Sequence, residues 1–163
     1  MTSTLRRPTV LVPIAIVLVA ELAVGLYLFQ PWRLLTNVSV EEAAPSTTVI
    51  AQGEFISHEH GTSGTAQVLQ LDDGSRVLRI EGLDTSNGPD LKVWLSDAPV
   101  IDGLDGWFVF DDGAYADLGA LKGNQGSSNY AIPADVNLDE LTSVSIWCDR
   151  FSVSFGAAEL TPA

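Results

Sequence analysis

The sequence has only one cysteine, Cys148, and only one methionine, Met1, in 163 residues. A single cysteine cannot form an internal disulfide, so the fold has to rest on core packing, and the thiol is left for intermolecular pairing or redox chemistry. A haem is disfavoured, because Met1 lies at the chain terminus and the two histidines, His58 and His60, are too close in sequence to bind opposite faces of one haem.

Basic residues are also scarce, with eight lysines and arginines against 21 aspartates and glutamates. The first 44 residues are balanced in charge, so the net charge of −13 falls entirely in residues 45–163. A domain this acidic repels nucleic acid and anionic lipid headgroups, and we expect neither as a ligand. Cationic partners, or solubility in a salty extracellular medium, fit its charge better.

One long apolar run occupies residues 10–29 and is interrupted only by Pro13 and Glu21. Its length is what a helix needs to cross a hydrocarbon core of about 30 Å. A Gln-Pro-Trp-Arg sequence follows the run in place of the small-residue site that ends a cleaved signal peptide. The sequence therefore predicts an uncleaved transmembrane signal anchor over residues 10–29 that contacts the lipid bilayer.

The basic residues around this run predict its orientation. Arg6 and Arg7 precede it, and Arg33 alone follows closely. This bias places residues 1–9 in the cytoplasm and the C-terminal part outside, as in a single-pass protein of the cell membrane. Glu21, near the middle of the span, is either a tolerated protonated carboxyl or a contact for a helix of another protein.

Residues 30–48 are expected to link the span to a domain over residues 49–163. Within the link, residues 36–48 lack apolar periodicity and are typical of a flexible tether. About 13 residues of coil reach on the order of 20 Å, which keeps the domain close to the membrane.

Alternating apolar residues and turn signals characterise the domain. Asp72-Asp73-Gly74-Ser75 between the alternating runs 65–71 and 76–81 is a strong hairpin signal. Further strands are predicted at the start of the domain and at 54–57, 91–95, 107–110, 116–121 and 129–132. Only residues 135–141 indicate a helical turn. We predict an all-β fold, an antiparallel β-sandwich or flattened barrel, preceded by one transmembrane helix.

The stretch 141–155 contains the cysteine and a change of strand phase. Cys148 belongs to one alternating apolar series, whereas the apolar positions in 151–155 fall on the opposite parity. An extra residue near Asp149 and Arg150, in a β-bulge or a tight reversal, would restore the register. Cys148 is then expected to point inward, beside the kink.

Six motifs, in this order along residues 52–160, resemble the DM-13 domain family. They are Gly53-x-Phe55, His60-x-Thr62-Ser63-Gly64, Gly88-Pro89-Asp90-Leu91, Leu121-Lys122-Gly123-Asn124-x-Gly126, Tyr130-x-Ile132-Pro133 and Ile146-Trp147-Cys148-x-x-Phe151-x-x-x-Phe155-Gly156. The resemblance implies a small β-domain in which electron transfer through the family's cysteine has been proposed, and Cys148 occupies that position. This chain has no haem-binding or DOMON neighbour of its own, so the resemblance implies that the electron donor is another membrane or envelope redox protein.

The site hypothesis is a redox Cys148 supported by His60, Trp147 and Arg150. Arg150 could favour a thiolate, although Asp149 would oppose it. The alternative is an inert core thiol, since free cysteine is among the most buried residue types. His58 and His60 could together with Cys148 form the two-histidine, one-cysteine set that copper uses, but we assign no metal and no cofactor.

The sequence also bears on two functional classes other than electron transfer. No nucleophile–base spacing is recognisable, so we expect no enzyme. A non-redox binding or scaffold module of the cell envelope is the alternative function. Trp94 and Trp107 could form its stacking platform, although aromatic residues in strands more often pack in the core.

Overall fold

The computed structural model describes residues 8–163. Residues 1–7, which include Arg6 and Arg7 and most of the predicted cytoplasmic segment, lie outside the described residues. Helix α1 spans Pro8–Phe29, and its Leu11–Phe29 stretch has a mean hydropathy of 2.4 with no part buried by the rest of the chain. Its length and composition suit either a membrane anchor or a signal sequence.

The remainder of the described chain is built from eleven strands and two short 3-10 helices, Pro31–Leu35 and Leu104–Gly106. The strands, in chain order, are β1 Ser39–Glu41, β2 Thr48–Glu54, β3 Ile56–Ser57, β4 Ser63–Gln70, β5 Arg76–Asp84, β6 Leu91–Ser96, β7 Tyr115–Ala120, β8 Gln125–Ile132, β9 Ser143–Cys148, β10 Val153–Glu159 and β11 Thr161–Pro162.

These strands form two open sheets, which confirms the predicted sandwich and decides against the flattened barrel. The first sheet has the order β1-β8-β5-β4-β2-β11 and the second the order β3-β10-β9-β6-β7. The predicted hairpin joins β4 to β5, where the Asp73 carboxylate accepts hydrogen bonds from the backbone N–H and the hydroxyl of Ser75 at 2.9 and 2.6 Å. This carboxylate closes the turn.

The main core lies between the sheets and collects the inward residues of both. Val68, Leu78 and Ile80 of the first sheet are fully buried in the same cluster as Val93 and Ile146 of the second. Strand β9 is buried along its whole length, because the segment between β6 and β7 covers the outer face of the second sheet. Successive residues of β9 therefore enter two different apolar environments.

The same covering segment explains why the predicted strand at 107–110 is wrong. Residues 107–110 follow the 3-10 helix Leu104–Gly106 and form no ladder. Phe110 instead turns inward, fully buried, and packs edge-on against Trp147 with 6.3 Å between ring centroids. Apolar residues there serve packing rather than strand pairing.

At 135–141, the predicted helical turn is a hydrogen-bonded turn in which Leu141 N–H donates to Asn137 O at 2.9 Å.

The structure also corrects the predicted flexible tether. Strand β1 pairs in parallel with β8, and it is the one parallel pairing among the described strands. Val38 N–H donates to the buried Asn124 side chain at 2.8 Å, and Lys122 forms a 2.8 Å ion pair with Glu42. The partners lie about eighty residues along the chain, so the local sequence could not indicate this pairing.

Candidate functional site

Cys148 is the last residue of β9 and points into the core between the sheets. It is 0% exposed, which confirms the inward orientation predicted from the alternation. Its thiol donates a hydrogen bond to the carbonyl oxygen of Pro89, with 3.2 Å from Sγ to O. Pro89 stands just before β6, whose Leu91 is the ladder partner of Cys148. The thiol is thus held by a single backbone acceptor.

The thiol is neutral at physiological pH. Burial raises the pKa of Cys148 above its ordinary value, and the negative charge of Asp90 adds to this. The backbone N–H groups of Phe151 and Arg150 lower the pKa, and the charge of Arg150 does so least, but burial outweighs them. A neutral, enclosed thiol is a poor nucleophile, so attack on an external disulfide is disfavoured.

The change of strand phase comes from a tight reversal. Residues 149–152 form the turn between β9 and β10, where Phe151 N–H donates to Cys148 O at 3.2 Å. Val153 pairs with Cys148 directly after the turn, and both side chains lie in the same core cluster, so the reversal by itself produces the opposite parity. A bulge follows further along β10, where the ladder shifts register between Ser154 and Gly156.

Arg150 lies in this reversal but is directed at helix α1. Its Nη1 donates to the carbonyl oxygens of Tyr27 and Leu28 at 2.9 and 3.2 Å, and the guanidinium lies 5.6 Å from the centre of the Tyr27 ring. The neighbouring Phe151 stacks on Phe29 at 5.4 Å between ring centroids. The reversal after Cys148 is therefore the contact between the β-domain and the C-terminal end of α1.

Trp147 lies on the opposite face of β9 from Cys148, within an aromatic stack. Its ring lies 5.0 Å from that of Trp94, which in turn lies 4.1 Å from that of Tyr115. Trp94 and Trp147 are buried, whereas Tyr115 is 47% exposed. The indole N–H of Trp94 is buried without a hydrogen-bond partner among the described residues. Both tryptophans are core residues. Their stacking depends on how β6 and β9 pair, which could not be predicted from local patterns.

His58 is held by a buried hydrogen-bond network and is not free to bind a metal. Its Nε2–H donates to Ile101 O at 3.1 Å, and its Nδ1 accepts from the Ser154 hydroxyl at 2.9 Å, because a carbonyl can only accept. Burial lowers the pKa of His58, although the bond to Ile101 and the charge of Asp102 raise it in part. Both ring nitrogens are engaged, which excludes the copper set of His58, His60 and Cys148 in this arrangement. Within residues 8–163, no three histidine, cysteine or carboxylate side chains form a metal-binding group.

His60 lies apart from His58 at the surface. Its Nε2 is 2.5 Å from a Glu59 carboxylate oxygen, and its ring packs 4.0 Å from that of Phe155. Among the described residues, no hydrogen bond engages its Nδ1. The structure therefore places His60 on the Glu59 carboxylate rather than beside the Cys148 thiol.

An open groove of about 550 Å³ lies between the end of α1 and the β-domain. We refer to it as the α1 groove, and its walls are mostly apolar. They include Phe29, Pro31 and Leu34 from the helix side and Pro89, Trp107, Phe108, Phe151, Val153 and Phe155 from the domain, with Glu59 and His60 at one wall. Pro89, which accepts the Cys148 hydrogen bond, is thus part of the groove wall. Sequence reasoning missed this groove, because its residues come from five separate segments.

The four site residues proposed from the sequence therefore lie in four different places. Cys148 lies in the core beneath Pro89, His60 lies on the wall of the α1 groove, and Trp147 belongs to the aromatic stack on the other face of β9. Arg150 contacts α1. Pro89 appears in the sequence analysis only within the Gly88-Pro89-Asp90-Leu91 motif. Its part in the site is a backbone carbonyl, which every residue has, so no sequence signal could have indicated it.

Comparison with known proteins gives one match. Residues 54–160 match the family model described as Electron transfer DM13. No curated protein and no solved structure matches the chain. The matched range contains every strand from β3 to β10, Cys148 and the domain side of the α1 groove.

Proposed function

Because the chain belongs to the electron transfer DM13 family, we propose that it is a membrane-anchored electron carrier with Cys148 as its redox residue. In this proposal α1 anchors the domain at the extracytoplasmic face of the cell membrane, and the partner is a redox protein of the membrane or envelope. The domain transfers electrons and has no enzymatic activity of its own.

Anchoring by α1 is supported by what surrounds the helix. Its apolar side chains over Leu11–Phe29 are not covered by the rest of the described chain, which suits a lipid environment. Arg150 and Phe151 bind its last turn to the domain. A cleaved signal sequence would leave these two side chains without their partners, so the contacts favour a retained helix.

The observation that carries the redox assignment is the hydrogen bond from Cys148 to Pro89, in the wall of the α1 groove. Thiol–disulfide exchange needs direct attack on sulfur, which burial and a raised pKa oppose. Electron transfer needs no contact between the reacting atoms. A thiol enclosed by one layer of protein is thus better suited to transfer electrons than to exchange disulfides.

The redox step is the loss of one electron and one proton from the thiol. Cys148–SH is oxidised to the sulfur radical, the electron passes to a one-electron acceptor such as the oxidised haem or copper centre of the partner protein, and the proton is released to water. Reduction by the partner with uptake of a proton restores the thiol. Because the S–H bond is already directed at Pro89 O, the proton has a defined direction of departure.

The test compares the wild-type chain with Cys148→Ser in lipid nanodiscs. Serine keeps a hydroxyl for the Pro89 bond but is not oxidised under these conditions, and circular dichroism checks the fold. A photogenerated ruthenium(III) polypyridyl complex serves as the one-electron oxidant, and electron spin resonance identifies the radical. We expect a sulfur radical in the wild type that is absent from Cys148→Ser.

The alternative is a binding or scaffold module in which Cys148 is a core residue. The complete burial of Cys148 favours it. If the wild type yields no radical, or yields the same tryptophan or tyrosine radical as Cys148→Ser, then Cys148 is not the electron carrier. The absence of any radical would support the binding module, whereas a shared aromatic radical would move the electron-carrying role to the stack of Trp94, Tyr115 and Trp147.

A further inference from the structure

We propose that the α1 groove binds a lipid-soluble quinone, with the quinone ring between the aromatic walls and its apolar tail directed along α1. This inference rests on the proposed membrane anchoring and names a ligand for the domain. It concerns binding alone and assigns no redox step to the quinone.

The position of the groove favours a ligand that enters from the lipid bilayer. Phe29, Pro31 and Leu34 belong to the end of the apolar helix and the segment after it, and together they form one side of the groove. A ligand in the outer part of the bilayer can enter along this side without crossing water. The volume of about 550 Å³ lies in the range of small-molecule sites.

The charge of the domain argues for an uncharged ligand. Residues 45–163 contain 18 acidic side chains against five basic ones. An anionic phospholipid headgroup is repelled by such a surface, whereas a quinone carries no charge. Exposed apolar side chains on the wall, such as Phe108 at 50% and Phe151 at 41%, offer the quinone ring flat surfaces for stacking.

Polar groups on the wall can form hydrogen bonds with the ring oxygens of a para-quinone or of its quinol form. The Nε2 atom of His60 contacts the Glu59 carboxylate, which leaves the Nδ1 atom without a hydrogen-bond partner among the described residues. With the Glu59 carboxylate accepting from Nε2–H, Nδ1 can accept a hydrogen bond from a quinol hydroxyl, and it can donate to a quinone carbonyl when the ring is protonated. Trp107 also lines the groove, and its indole N–H is buried without a hydrogen-bond partner in residues 8–163, so it is the one candidate donor of this wall for a quinone oxygen while His60 is neutral.

The groove also adjoins the proposed redox residue. Pro89 lines the groove with its ring and binds the Cys148 thiol through its carbonyl oxygen. Gly88 packs so closely on Phe155 that an added Cβ would stand 2.8 Å from the end of the phenyl ring. The wall between groove and thiol is therefore thin and tightly packed.

The test is a titration of the full chain, in phosphatidylcholine nanodiscs, with decylubiquinone. Quenching of tryptophan fluorescence measures the binding. Phe108→Ser removes a wall residue, and His60→Phe removes the ring nitrogens while keeping a ring against Phe155. Leu104→Ser is the matched control, because Leu104 is 65% exposed and does not line the groove. We expect saturable binding that each groove variant weakens about tenfold, or about 1.4 kcal/mol, and that the control leaves unchanged.

Two results would overturn the proposal. Equal quenching of the wild type and both groove variants would show simple partition of the quinone into lipid. Decylbenzene lacks the carbonyls of the quinone. If it displaces bound decylubiquinone when added at an equal concentration, the groove binds hydrocarbon without recognising the quinone. If quinone binding fails while Cys148 still forms its radical, only the groove proposal is wrong; if binding holds and no radical forms, only the thiol assignment is wrong.

Discussion

Arg150 donates a hydrogen bond to the carbonyl oxygen of Tyr27 at 2.9 Å, across 123 positions of the chain. A guanidinium at the C-terminal end of a helix satisfies carbonyls that have no partner within the helix and interacts favourably with the helix dipole. The contact comes from the reversal that directly follows Cys148. The end of α1 and the position of the thiol are thus mechanically linked through Asp149 and Arg150.

Replacing Arg150 is expected to loosen the end of α1. In Arg150→Met the carbonyls of Tyr27 and Leu28 lose their donor, and the cost is about 0.3–1 kcal/mol, as for other exposed charges at helix ends. Hydrogen exchange of residues 27–35 in nanodiscs should become several-fold faster. Lys92→Met is the control, since within residues 8–163 the Lys92 ammonium pairs with Asp90 alone, at 3.8 Å. Unchanged exchange in Arg150→Met would mean that the helix end is held by Phe151 alone.

The sequence was sufficient for features that depend on neighbouring residues. The Asp73–Gly74 turn, the alternation of β4 and β5 and the inward direction of Cys148 all follow from local patterns and are confirmed. The change of phase within 141–155 correctly located the reversal at residues 149–152, one of the two alternatives predicted there, whereas the bulge further along β10 was not predicted.

Features that depend on distant partners could not be predicted. Strand β1 forms because Asn124 and β8 offer it hydrogen bonds, and nothing in residues 36–48 indicates them. Phe110 belongs to an irregular segment because Trp147 offers it a buried contact on the outer face of the sheet. The α1 groove exists only when the end of the helix meets the reversal after Cys148. Packing rather than periodicity decides each of these cases.

The stability of the domain is expected to fall below about pH 6.5 because of His58. Burial lowers the pKa of His58, so the unfolded chain, with its ordinary value of 6.5, takes up the proton first as the pH falls. The free energy of unfolding should then decrease by up to about 1.4 kcal/mol per pH unit from this group. Urea unfolding in mild detergent between pH 7.5 and 5.5 measures the slope. His58→Gln should flatten it and His60→Gln should not; an equal slope in His58→Gln would assign it to other groups.

Gly156 is expected to tolerate no side chain. An added Cβ would lie 2.5 Å from Cβ of Thr62 and 2.7 Å from the carbonyl oxygen of Ile56, beside the bulge in β10. Gly156→Ala should therefore reduce the free energy of unfolding by about 1–3 kcal/mol. Gly61→Ala is the matched control, because nothing lies within 4 Å of its added Cβ. Equal stability of the two variants would show that Thr62 can move aside without cost.

Trp94 and Tyr115 are expected to be energetically coupled through their stacked rings. Their centroids lie 4.1 Å apart with planes 10° from parallel. A double-mutant cycle with Trp94→Leu and Tyr115→Ala should give a coupling of about 0.5–1.5 kcal/mol in chemical unfolding. The same cycle between Trp94→Leu and Phe108→Ala should be additive, since Phe108 is similarly exposed but lines the α1 groove. A coupling energy near zero for the first pair would show that each ring is stabilised by its own burial and that stacking adds nothing.

Cys148 is expected to resist alkylation in the folded protein at any pH that leaves the domain intact. The thiol is enclosed, and burial raises its pKa from an ordinary value of 9.0, so both the access of a reagent and the fraction of thiolate are small. Iodoacetamide should react at least about a hundredfold faster after unfolding, because the folded protein reacts only through local opening. The control for reagent activity is Ala134→Cys in the Cys148→Ser background, which has its thiol on an exposed loop.

Reaction of native Cys148 as fast as this control would mean that the reversal at Arg150 opens readily. Thiol–disulfide exchange would then become a competent route, and the argument for a purely electron-transferring thiol would no longer hold.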